Sequence, residues 1–123
     1  MIRFSQADIK AGYLVQEPGW FDYIIKDHKT KPAKSDGSAN HLFFFEGQSG
    51  EMQGVTVVKL YSSKVPAFMV PLFKAANGGK DLDENTEYNE ADLVGVALQA
   101  YTKRGQNQEG SPINDLVDFR PKR

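Results

Sequence analysis

Along the chain, apolar residues first alternate with polar ones, then take helical spacing, then alternate again. WFDYIIKDHKTK (20–31), HLFFFEG (41–47) and VTVVKLYSS (55–63) are rich in aromatic and β-branched residues and predict three strands. Val65, Phe68, Met69, Leu72, Phe73 and Ala76 then recur at spacings of three and four, which predicts a helix over 65–76. Pro71 must kink or split that helix, and Asn77-Gly78-Gly79 ends it. LVGVALQAYTK (93–103) predicts a fourth strand with Val94, Val96, Leu98 and Ala100 inward, and Gln99, Tyr101 and Lys103 outward. INDLVDFR (113–120) predicts a fifth. The segment 1–18 reads as a lead-in with one short helix near Gln6 to Ala11, closed by the turn signal Pro18-Gly19.

Three strands, a helix and two more strands make an all-β chain with the connectivity of a five-stranded OB-fold barrel. An unclosed five-stranded sandwich is the competing architecture. In an OB barrel, ligands lie across strands two and three, between the loops after strands one and four. Those loops are 32–40 and 104–112, within a single domain covering 1–123.

Length fits this reading, since 123 residues suit one domain. The chain has no cysteine, so disulfides and thiolate metal sites are excluded. It contains no long apolar stretch and no signal-peptide pattern near its start, so a cytoplasmic protein without a membrane partner is expected. The net charge of −1 argues against a nucleic-acid binder until its distribution is considered. Six acids and no Lys or Arg fall in 81–92, within an acidic connector spanning 80–92. The remainder carries fifteen basic and ten acidic residues.

Single-stranded DNA is held by scattered cations and exposed aromatic platforms. Lys29, Lys31 and Lys34 flank the first candidate loop, and Lys103 and Arg104 enter the second. Phe43, Phe44 and Phe45 cannot all face inward on one strand. If Phe43 and Phe45 fill the core, Phe44 faces out; a bulge would reverse this. Tyr101, with Gln99 and Lys103, is expected on the ligand face. Of two aromatics that the pattern leaves open, Tyr61 is assigned to the ligand face and Trp20 to the core. Asp81, Asp83, Asn85, Asn89 and Asp92 match some positions of a calcium loop, but Thr86 stands where that loop needs glycine. His28 and His41 are 13 residues apart and lack a metal-ligand spacing. No nucleophile elbow, phosphate loop or dinucleotide motif occurs. No catalytic residue, metal or cofactor is expected.

Pro18-Gly19-Trp20-Phe21, Lys34-Ser35-Asp36-Gly37-Ser38-Ala39-Asn40, Tyr61-Ser62-Ser63-Lys64, Val94-Gly95, Asn114 and Asp118-Phe119-Arg120-Pro121 occur in this order along nearly the whole chain. In that order they resemble the OB-fold single-stranded-DNA-binding proteins encoded by bacteriophages. The resemblance implies sequence-independent coating and protection of single strands in phage replication or recombination, in the host cytoplasm. Expected partners are single-stranded DNA, replication or recombination proteins, and further copies of the chain. Such proteins often end in an acidic recruiting tail, whereas this sequence ends FRPKR. The rival readings are single-stranded RNA binding and a protein-interaction or virion structural module on the same barrel.

Overall fold

The aromatic and β-branched run after Pro18 forms β1 (Gly19–Pro32) in the computed structural model, which describes residues 1–32 and 39–122. It is followed by β2 (Ala39–Gly47), β3 (Thr56–Ser62), β4 (Ala97–Gln106) and β5 (Pro112–Pro121). The chain is thus mostly β, and its five strands form one antiparallel sheet in the order β3-β2-β1-β4-β5. Four antiparallel steps leave the two edge strands, β3 and β5, running parallel to each other. They are not hydrogen-bonded, so the sheet is not closed. A flat sheet of this width would hold its edges roughly 19 Å apart. Yet Lys59 Nζ on β3 lies 2.9 Å from Asp115 Oδ1 on β5, so the sheet curls strongly.

The concave side of the curl holds the core. Tyr23, Ile25, Phe43, Phe45, Leu98, Ala100 and Leu116 are buried there. Leu72 and Phe73 join them from α2 (Val70–Ala76). Thr102, the one buried polar residue among those described, shares a 2.7 Å hydrogen bond with the Tyr23 hydroxyl. Burial pushes the Tyr23 phenol up to about 12. Gly47 ends β2 where a 3-10 turn, Gly50–Met52, folds back on it. A Cβ there would sit 1.8 Å from the Met52 carbonyl oxygen, so the position requires glycine.

Two bulges decide which side chains face out. In β1, Ile25 pairs with Phe45 and Asp27 with Phe44, so Lys26 is the extra residue. Before it, Trp20, Asp22 and Ile24 share the outer face; after it, Asp27, Lys29 and Lys31 do. In β5, Val117 is extra between Leu116 and Asp118, and it is left exposed.

Several boundaries differ from the sequence reading. The predicted helix over 65–76 is divided into a 3-10 turn (Pro66–Met69) and α2, with Pro71 in the first turn of α2. Val65 and Phe68 of the apolar stripe are exposed, because the 3-10 turn rotates them off the buried face. β4 starts at Ala97 rather than 93. Glu90–Leu93 form a 3-10 turn capped by the Asn89 side chain, and Gly95 then turns at φ +91°. Val94 is therefore outside the core, while Leu98 and Ala100 are inside. The loop expected over 104–112 shrinks to 107–111. Asn107 Oδ1 there accepts the Glu109 and Ser111 backbone N–H groups. In the lead-in, α1 covers only Gln6–Ile9. No described helix is long and apolar enough to cross a membrane.

Candidate nucleic-acid interface

The Lys26 bulge aligns three cross-strand rows on the outer face of β1, β2 and β3. They are Asp27–Phe44–Val58, Lys29–Leu42–Leu60 and Lys31–Asn40–Ser62. Phe43 and Phe45 are fully buried, so Phe44 faces outward, partly exposed. Lys29 Nζ stands 5.4 Å from the centroid of its ring. Val58 and Leu60 lie exposed beside it. Lys29 and Lys31 are exposed, and among the described residues neither lies within ion-pair distance of a carboxylate. The one carboxylate in the rows, Asp27, accepts its own neighbour's backbone N–H, from His28 at 2.8 Å. The result is an aromatic face with a cation over it, a second cation one row away and an open apolar floor. Such a surface can stack a base and hold a phosphate.

The remaining expected residues go elsewhere. Lys34 lies outside the described residues. Gln99 and Tyr101 sit on the outer face of β4, beside the start of β1, roughly 20 Å along that strand from Phe44. There Tyr101 meets Trp20 edge-on at 5.7 Å, and Arg120 stacks on Trp20 at 4.1 Å. Arg120 Nε also donates to Gln99 Oε1 (2.7 Å), and Gln99 Nε2 donates to Asp22 Oδ1 (2.9 Å). Trp20, expected in the core, belongs to this outer cluster because it precedes the bulge and pairs with Tyr101. Lys103 is exposed on the same outer face, opposite Asp115.

One assignment to the ligand face is corrected, and one residue is drawn into another contact. Tyr61 points inward with Phe43, 6.1 Å between ring centroids, and is buried. Burial, with Asp115 nearby, raises its phenol pKa, and its ring is not available for stacking. Arg104 shares Thr102's parity at the strand end, where the lead-in crosses, and remains exposed. Its Nε donates to the Val15 carbonyl at 2.6 Å. Asn114, directly opposite, joins this anchorage: its amide accepts from the Val15 N–H (2.8 Å) and donates to the Tyr13 carbonyl (2.7 Å). Glu51 completes it by accepting from the Tyr13 hydroxyl and the Gln16 N–H. The Gln16 contact contributes most to lowering the Glu51 carboxyl pKa.

One constellation escaped the spacing argument. His28 Nε2 and His41 Nδ1 are 3.1 Å apart, their rings stacked at 18°. The β1–β2 pairing makes them diagonal neighbours on the inner face, a proximity that linear separation hides but hairpin register reveals. Burial, then His41, lowers the His28 pKa. Glu90 lies 4.0 Å from His41 Nε2 on the far side. Among the described residues, no three His, Asp or Glu side chains converge as a metal site.

No protein-family model matches this chain, and neither does any curated protein.

Proposed function

We propose that the chain binds single-stranded DNA without a sequence code, on the outer face of β1, β2 and β3. The observation that carries this reading is Lys29 over Phe44, with Lys31 in the next row and Leu42 and Leu60 beside them. Bases would stack on Phe44 and the apolar floor while the lysines hold phosphates. The strand order, with parallel edges brought together at Lys59 and Asp115, supports an OB-type barrel left open between β3 and β5. The order of motifs along the chain supports a phage replication or recombination setting. No element among the described residues resembles a base-reading helix, so affinity would come from stacking and charge and would weaken steeply with salt.

A competition gel shift tests the reading. Unlabelled single-stranded DNA should displace a bound labelled oligonucleotide, and duplex should not. Equal competition by duplex would sink the proposal. Stronger competition by single-stranded RNA would reassign the ligand. Absence of binding to all three would leave the exposed apolar surface as a protein-interaction module.

A further inference from the structure

After the Lys26 bulge, the outer face of β1 carries Asp27, Lys29 and Lys31, a carboxylate followed by two cations. The lysines suit the phosphates of a single strand, whereas the carboxylate repels them. Asp27 has one local task, since its Oδ1 accepts the His28 backbone N–H at 2.8 Å beside the bulge. A neutral asparagine or serine oxygen would serve for that. The charge is also left without a counter-charge: Asp27 is exposed and makes no ion pair among the described residues. Lys26 turns instead to Glu46 at 3.5 Å, and Lys29 Nζ lies over the Phe44 ring at 5.4 Å.

Asp27 and Phe44 are direct cross-strand partners on the outer face, so their Cβ atoms are about 5 Å apart. A base lying on the Phe44 ring reaches past its rim, and on this side the edge of the base would meet Asp27. An ionised carboxylate is acceptor-only and can take a bidentate pair of donors. The Watson–Crick edges, open in a single strand, differ in what they offer it. Guanine presents N1–H and its N2 amino group side by side. Adenine and cytosine present one amino group beside an acceptor nitrogen, and thymine one N–H between two carbonyl oxygens. A carboxylate therefore fits guanine best and thymine worst.

We infer that Asp27 selects the base that stacks on Phe44, and that it favours guanine there. Such selection rests on the single-strand reading of the β1–β2–β3 face and adds to it a preference at one position. One favoured base does not make a sequence code, because the adjoining Leu42, Val58 and Leu60 offer the other bases no polar side-chain group.

Anisotropy of two labelled oligodeoxynucleotides tests it, one of thymidines only and one with isolated guanines among the thymidines. The wild type should bind the guanine-bearing strand about tenfold more tightly, within the range of a bidentate base contact. Hypoxanthine in place of guanine keeps N1–H but lacks the amino group, and should remove most of that preference. Asp27→Asn keeps an oxygen for the His28 N–H and should melt as the wild type does. It should hold the thymidine strand more tightly, because the repulsion of phosphates is gone, and lose the preference for guanine. Equal wild-type affinity for the two strands overturns selection by Asp27 and leaves the single-strand reading standing. A guanine preference that survives either hypoxanthine or Asp27→Asn does the same, since stacking area alone then accounts for it. Failure of the wild type to bind either strand overturns both.

Discussion

Two parts of the same outer face carry similar residues and differ in what those residues already touch. Near the start of β1, Trp20, Asp22, Gln99, Tyr101 and Arg120 form a closed chain of contacts. Beyond the Lys26 bulge, the polar ends of Lys29 and Lys31 make no such chain among the described residues, and Phe44 has a cation over its ring and exposed aliphatic neighbours. An aromatic beside a cation is the expected stacking unit in both places. Only the second leaves its aromatic face and its charges for a ligand. Residue type proposes a site; the partners supplied by the chain itself decide between candidates.

The comparison depends first on which side of β2 each phenylalanine faces. Phe43→Ala should cost about 3–5 kcal/mol of folding stability, as for a core aromatic. Phe44→Ala should cost far less stability and about 1–3 kcal/mol of single-strand binding. Thermal melts and fluorescence anisotropy on the same samples separate the two. A Phe44 variant that unfolds readily but, when folded, binds normally would invert the assigned faces.

The self-contained cluster should answer in the opposite way. Tyr101→Ala removes an edge-on ring contact, and Arg120→Ala a stacked cation. Each should lower stability by about 0.5–1.5 kcal/mol and leave single-strand affinity unchanged. A Tyr101 variant of wild-type stability with weakened binding would move the interface to β4.

A smaller effect comes from the inner side of the same hairpin. His28 has its pKa lowered in the folded chain, by burial and then by His41, with Glu90 and Asp27 opposing. The unfolded chain therefore binds this proton more readily. Stability should be fully present above the unfolded value of about 6.5. It should fall as pH drops below it and level off once folded His28 is protonated. His28→Gln should flatten that part of a pH series of denaturant melts. An unchanged slope would assign the acid sensitivity to other groups.

Much of the frame was legible in the sequence. Period-two patterning located all five strands, and parity placed Phe44 outside and Leu98 and Ala100 inside. The bulges were not legible, since no residue pattern marks Lys26 or Val117 as extra, yet the first sets the facing of every later residue in β1. This is why Trp20 and Lys29, of opposite parity in the sequence, both face outward. Tyr61 was misread because it was judged by residue type at a strand end, and burial against Phe43 claims it instead. The crossing lead-in, which binds the Arg104 Nε, left no mark in the spacing either. Asn114 stood out only as a motif position; its role became visible when the lead-in was seen bound to it.

The most direct test of the central claim is the salt dependence of single-stranded DNA binding by Lys29→Ala/Lys31→Ala, beside Phe44→Ala and the wild type, using anisotropy of a labelled oligodeoxynucleotide. The account predicts a slope smaller by roughly one unit per lysine removed, with the same loss for every sequence. Phe44→Ala should weaken binding at all salt concentrations without changing the slope. Wild-type affinity and slope in both variants, with melting unchanged, would contradict it.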